Sequence, residues 1–331
     1  MMEPAASRPP DNRFDLVALG ESMLSLSPVP GTTTFSSDIA GAESNVARNV
    51  AALGLRAGWV SRLGDDVAGP LVHAAIANSG VDTGDVTVTA DAPTGLMLKG
   101  APGTQPRVQY HRRGSAASGM STSNIDVGGC LDTAVLHLTG ITMALSESCR
   151  ALVLELLDAP STAIRSFDVN WRPALWSSEP SAADLLADAA NRADVVFVGL
   201  DEAEAVWGLT TPADVRALID RPRRLVVKNG AIDVTTFVDD VAHSEPALRG
   251  TVVDPMGAGD AFAAGYLTGI VRYPDDVHRC QRLGHITAMS AVTSPNDVGH
   301  PLAWDEIERL LALSSHEWAE MEYPDGATDD G

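Results

Sequence analysis

The segment Val252–Tyr266, VVDPMGAGDAFAAGY, combines closely spaced glycines with a carboxylate. A β-type run from Leu248 to Val253 meets Asp254-Pro255, and proline cannot continue a sheet ladder. Gly257-Ala258-Gly259-Asp260 follows, then small and apolar residues at helical spacing: Ala261, Ala264, Gly265, Leu267, Thr268 and Val271. This reads as strand, tight loop, helix start. Unpaired N–H groups at such a start attract an anion, and glycines let a phosphate approach the backbone closely. A carboxylate there repels the same anion unless it has a task of its own, such as accepting a proton from an attacking group. A purely structural loop, with Asp260 complementing the helix dipole, fits the local sequence equally. A dinucleotide fingerprint fails because Phe262 stands where a third glycine is required. A Walker-type loop fails for want of Lys-Ser/Thr after its last glycine.

Other polar clusters sit where apolar strands end: Gly20-Glu21, Asp168 to Arg172, Gly199 to Glu202, and Lys228-Asn229-Gly230. In open α/β sheets, ligands bind beyond the carboxyl ends of the strands. Arg172 in DVNWRP, with Tyr110, Arg112 and Arg113 on a projecting hairpin, offers guanidinium forks that match a carboxylate. Surface ion pairing is the competing role, above all for Arg113. Lys228 suits either a phosphate or a structural ion pair. Glu202 opens a helix and so suits capping, or contact with Mg²⁺ through water.

The elements that must position these residues alternate. Phe14–Leu19 reads as a buried strand. Gly41-Ala42-Glu43-Ser44-Asn45 opens a helix stopped by Gly54. VLHLTG, AIRSFDVN, DVVFVG and LVVKNG each precede a helical stretch or a further strand pair. Near-continuous Val, Leu, Ile and Phe in those strands predict a mainly parallel sheet with helices on both faces. Pro28 and Pro30 make the run after Gly20 a sheet edge or a projecting flap. TVTA, GLMLKG and RVQYH between Asp85 and Arg113 read as hairpin strands outside the α/β rhythm. The chain is expected to divide into a disordered leader (1–13), one domain (14–313), and an acidic disordered tail (314–331).

The 331 residues carry 23 basic and 44 acidic side chains, a formal net charge of −21. That surface argues against nucleic acid or an anionic membrane as partner. Charge screening over about 8 Å leaves a local arginine cluster free to dominate inside a cleft. Cys130, Cys149 and Cys280 are scattered, with no CxxC pair, which fits a reducing compartment and neither a disulfide framework nor a zinc site. No apolar run is long enough to span a bilayer, and the first residues lack an apolar signal core. A cytoplasmic protein is expected.

Taken together, GAESNVARNVAALG, SRLGDDVAG and DPMGAGDAFAAGY resemble the PfkB (ribokinase-like) carbohydrate kinases over nearly all of residues 14–313. YHRRGSAAS, LHLTGITMALS, FDVNWRPALW and DEAEAVWG are similar to the 2-keto-3-deoxygluconate kinases within that family. The resemblance implies a three-layer α/β/α fold with a small β-sheet lid from about 22–37 and 85–113. It implies ATP and Mg²⁺. Asp260 would be the base for a sugar hydroxyl, with Gly257, Ala258 and Gly259 as the anion hole. Tyr110, Arg112 and Arg172 would hold an acid sugar, and Gly41 and Asn45 would line its pocket. Lys228 and Gly230 would lie on the nucleotide side with Gly257 and Gly259. A helix N-terminus is expected to depress the pKa of Asp260. Exposed lid edges would let two copies pair.

Several positions depart from the family pattern. Ser25 stands where neutral-sugar relatives place an aspartate, which favours an acidic, deoxy substrate. Met97 stands where acid-sugar relatives carry an aromatic. Gly199 replaces the asparagine of the N-x-x-E motif. A neutral-sugar or nucleoside kinase of the same fold, and a non-catalytic sugar-binding regulator, are the alternatives.

Overall fold

The computed structural model describes residues 13–100, 108–294 and 298–324. Its centre is an eight-stranded sheet ordered Val241–Pro246, Asp233–Val238, Arg224–Asn229, Val195–Gly199, Ile164–Asp168, Thr133–Thr139, Phe14–Leu19, Ala57–Val60. The last six in that order run parallel, and the first two add an antiparallel hairpin at one edge. Parallel strands need crossovers, which the intervening helices supply.

Alternation within each strand divides the apolar side chains between two faces. Val17, Leu19, Leu136, Leu138, Val196 and Val198 pack into one core with Leu152 and Leu156 of the helix Glu147–Asp158 and Leu186 of Ala182–Ala190. Leu16, Ala18, Val135, Phe197 and Val226 face the other way, onto Val46 and Val50 of Ala42–Ala52 and Tyr266 of Ala258–Arg272. Three layers result. Among the described residues no helix is long and apolar enough to cross a membrane.

A separate four-stranded sheet is ordered Phe35–Ala40, Met23–Pro28, Leu96–Lys99, Val108–His111. Met23, Ala40 and Met97 form its own small core, with Val108 against them. Met23–Pro28 is therefore an interior strand of this sheet, not the sheet edge that its prolines suggested. Pro28 is tolerated because it is the last residue: it faces Phe35 on one side, while pairing on the other side ends at Leu26. Thr87–Thr89 also departs from expectation. It leaves the hairpin region and pairs in parallel with Arg62–Gly64 as a two-stranded sheet.

The tail beginning at Ser314 is ordered as far as it is described. Ser314 and Glu317 form a reciprocal capping box that starts the helix Ser315–Glu320. Trp318 is buried and donates its indole N–H to the Pro246 carbonyl at 2.9 Å. Sparse apolar residues hid this: two aromatics, Trp318 and Tyr323, anchor the segment in place of a periodic stripe. At the other end, Arg13 pairs with Asp85 at 3.0 Å and so belongs to the fold. The rest of the expected leader, and residues 325–331, lie outside the described residues, as do 101–107 of the hairpin region.

Candidate active site

The parallel strands deliver Asp168, Gly199 and Lys228 to one edge of the sheet, because each is at or near its strand's carboxyl end. The helix Ala258–Arg272 starts at the same edge. Gly257 caps it at φ 78°, a left-handed conformation that a side chain would strain. This places Asp260 in the first helical turn. Asn45 donates from its Nδ2 to Asp260 Oδ2 at 3.0 Å, and Asn170 donates to Oδ1 at 3.3 Å. A side chain on Gly259 would point toward the Lys228 ammonium, 3.5 Å from its Cβ position. Gly230, at φ 56°, turns the chain after the Lys228 strand and has open space where a Cβ would be. The glycine loop 257–259 thus lies against the Lys228 ammonium, beside the Asp260 carboxylate.

Asp168 ties this edge together. Lys228 Nζ donates to its Oδ2 at 3.1 Å, and the backbone N–H of Asn170 donates to its Oδ1 at 3.2 Å. Lys228 is thus ion-paired, as the structural reading of it expected, and it borders the glycine loop. Burial works against its charge, but Asp168, Glu202 and Asp260 together hold its pKa above the ordinary value.

The pKa of Asp260 is raised, contrary to the expectation from the helix dipole. Burial is the main cause and pushes it up to about 7; Asp168 adds to the rise. Asn45, Arg172 and Lys228 oppose it without cancelling it. The dipole is a local effect of some tenths of a kcal/mol to about 1 kcal/mol, and desolvation outweighs it. A carboxyl titrating near 7 is half ionised at neutral pH, the range in which a general base works best.

The arginines separate. Arg112 donates through Nε to Glu21 Oε2 at 2.6 Å, with Nη2 at 2.5 Å from the same oxygen, and Ser115 donates to the other oxygen. Both side chains are largely buried. Arg112 is thus already neutralised by a protein carboxylate. Arg172 is half exposed, donates to its neighbour's carbonyl at Trp171, and lies 3.7 Å from Glu202. It acts electrostatically on Asp260, lowering its pKa, so it belongs to the same cluster. Tyr110 lies on the edge strand of the small sheet, opposite Met97 and half exposed. Gly41 precedes the helix bearing Asn45, and a Cβ there would collide with Ser22 and the Glu21 carbonyl.

Glu202 fills the capping role that its place at a helix start suggested. Its Oε2 accepts the Gly199 N–H at 2.8 Å and its Oε1 the Trp171 N–H at 2.9 Å. Its oxygens cap the helix and tether the segment bearing Arg172. The described residues contain no group of three His, Cys, Asp or Glu side chains able to hold a metal ion. The donor set therefore does not fit a cage for Mg²⁺ built from protein side chains alone.

Residues without a sequence-level role also enter the site. Asn170 and Asp168 were visible only as part of a polar strand end. Glu21 was visible only as the residue after Gly20. Glu43 is wholly buried, accepts the Thr139 and Thr142 hydroxyls at 2.5 Å, and packs where a Gly20 side chain would stand. Burial raises its pKa. A glutamate one residue into a helix gave no sign of this.

The profile of pfkB family carbohydrate kinases matches residues 13–302. Among curated relatives, the chain is 34% identical over 307 residues to the 2-dehydro-3-deoxygluconokinase of Bacillus subtilis (strain 168), covering 86% of this chain and 92% of that protein. It is 32% identical to the Thermoproteus tenax enzyme of the same name, covering 79% and 85%. It is 29% identical to fructokinase-1 of Oryza sativa subsp. japonica, covering 91% and 98%. Among solved structures, a PfkB protein from Polaromonas sp. JS666 superposes with a TM-score of 0.77 at 33% identity, covering 86% of this chain and 98% of that one. A fructokinase with bound ATP from Xylella fastidiosa superposes equally well at 25% identity, covering 89% and 97%. The match spans both the three-layer sheet and the glycine loop that opens the Asp260 helix, and the chain belongs to the pfkB family of carbohydrate kinases.

Proposed function

We propose that this kinase transfers the terminal phosphoryl group of ATP to a terminal hydroxyl of an acid sugar, 2-keto-3-deoxygluconate or a close analogue. The observation that carries this reading is the Asp260 carboxyl, held by two carboxamides beside a glycine-capped helix start, with half-exposed Arg172 in the same cluster. The acceptor oxygen bonds to the γ-phosphorus while the bond from that phosphorus to the bridging oxygen breaks, and its electron pair leaves with ADP. The hydroxyl proton passes to Asp260. Phosphoryl transfer asks the protein mainly for positioning and charge stabilisation. The N–H groups of residues 257–259 and the Lys228 ammonium supply the charge stabilisation, and Arg172 holds the substrate carboxylate. Mg²⁺, when bound, would be held chiefly by the nucleotide phosphates, where it would supply charge neutralisation, since the described residues form no side-chain cage for it. The small sheet closes over the sugar, and its outer strands, including exposed Phe35, offer an edge for a second copy.

A neutral-sugar kinase is the second reading, favoured by the Glu21–Arg112 pair, which neutralises one of the two arginines assigned to the substrate acid. A coupled ATP-consumption assay across ketodeoxy, aldonic and neutral sugars separates them. The first reading expects kcat/KM on the ketodeoxy acid to exceed that on fructose or ribose by at least about 100-fold, equal to roughly 2.7 kcal/mol of differential binding. Better turnover of fructose overturns it.

A further inference from the structure

Asp260 is held from two directions by residues from distant parts of the chain. Asn45 reaches Oδ2 from the start of the helix Ala42–Ala52, and Asn170 reaches Oδ1 from beyond the strand Ile164–Asp168. An ionised carboxylate only accepts hydrogen bonds, so each carboxamide must turn its nitrogen toward Asp260. The Oδ1 atoms of both asparagines are then buried without a partner. Asn170 is also one of two non-glycine residues with positive φ among the described residues, at 41°. Asparagine tolerates that region better than most residues, but it is still sparsely populated. The conformation is secured by Asp168, which accepts the Asn170 N–H while its other oxygen accepts Lys228. The strand end is thus shaped so that one carboxamide meets one oxygen of Asp260.

We propose that Asn170 is a positioning residue for phosphoryl transfer: from the side opposite Asn45, its carboxamide fixes the rotation of the Asp260 carboxylate, so that a free lone pair faces the acceptor hydroxyl. The proposal rests on the reading of Asp260 as the base. Hydrogen bonds donated to the ionised form favour that form, so losing the Asn170 donor moves the Asp260 titration upward. The charged groups facing Asp260 are Asp168, Arg172 and Lys228, and the other neutral donor is Asn45. All four stay in place when only the Asn170 side chain is changed.

The test uses the full chain with Asn170→Gly, which keeps the positive φ and removes the carboxamide, and Asn170→Asp, which keeps the shape and replaces the donor by an acceptor. Asn170→Gly is expected to lower kcat by about 10- to 100-fold, leave KM for ATP and sugar within about threefold, and move the acid limb of kcat/KM to higher pH. Asn170→Asp is expected to lose more. An unchanged kcat, a loss confined to KM, or an unmoved acid limb overturns the proposal. A second measurement is independent of turnover: the Asp260 carboxyl is titrated by ¹³C NMR in unmodified and Asn170→Gly protein, with Asp260→Asn assigning the signal. An upward shift in Asn170→Gly supports the positioning contact, and an unmoved titration overturns it. If the unmodified protein turns over no sugar, the functional reading fails, while this titration still decides whether Asn170 controls Asp260.

Discussion

Arg112 bonds Glu21 through Nε and Nη2 on a single oxygen, across 91 residues of sequence. The pair joins the edge strand of the small sheet to the exit of the strand Phe14–Leu19, and both side chains are almost fully enclosed. Removing one partner of such a pair leaves an uncompensated buried charge. Arg112→Ala is therefore expected to destabilise the protein by about 3–5 kcal/mol, as measured by chemical denaturation. Glu21→Gln leaves the guanidinium uncompensated, so it should also destabilise the protein, and on the proposed reading it should lower KM for acid sugars relative to neutral ones. A substrate panel reads that ratio.

Asp260→Asn keeps shape but removes the group proposed as the base, so kcat should fall by about 10²- to 10⁴-fold with KM for both substrates nearly retained. Steady-state kinetics give both numbers.

The same substitution should raise stability at neutral and alkaline pH. Folding lifts the Asp260 pKa from its ordinary 3.8 to about 7, so the folded state binds a proton more tightly than the unfolded state. Stability attached to this group is therefore greatest below the ordinary pKa and is lost as pH rises toward about 7. Asp260→Asn escapes that loss. Its melting temperature should exceed that of the unmodified protein at pH 8, by the equivalent of about 1–3 kcal/mol, and the gap should close near pH 4.

Gly20→Ala would set a methyl group 2.1 Å from the Glu43 carboxyl carbon, whose buried oxygen is held by Thr139 and Thr142. A loss of about 1–3 kcal/mol or more is expected by denaturant titration. Glu43→Ala in the same chain should relieve the clash, which a double-mutant cycle measures as coupling between the two sites.

Trp318→Ala removes a buried indole that packs under Arg282 and donates to Pro246. A loss of about 3–5 kcal/mol is expected. Thermal unfolding would show it, and an unchanged midpoint would mean that the tail contributes nothing to the fold.

Much of this architecture was legible because it is periodic. The strand–helix alternation, the glycine stop at Gly54 and the loop at Gly257 are each written in a few neighbouring residues. What escaped depends on contacts between distant ones. The helix dipole at Asp260 is a local cue, whereas the burial that overrides it is built by residues near 45, 168, 170 and 228. Arg112 looked available because Glu21 becomes its neighbour only once the small sheet folds. Glu202 read as either a helix cap or a metal contact because sequence shows a carboxylate but not the two amides that donate to it. Pro28 looked like an edge signal because nothing local reveals that pairing on its far side has already ended.

The small sheet joins the body with almost no slack. Only Gly20, Glu21 and Ser22 separate the strand Phe14–Leu19 from Met23–Pro28, and Gly41 alone separates Phe35–Ala40 from the helix bearing Asn45. A rocking of that sheet is therefore geared directly to Glu21 and Gly41 and cannot dissipate in a linker. Whatever tilts the sheet also moves Gly41 and, with it, the start of the helix that carries Asn45 to Asp260.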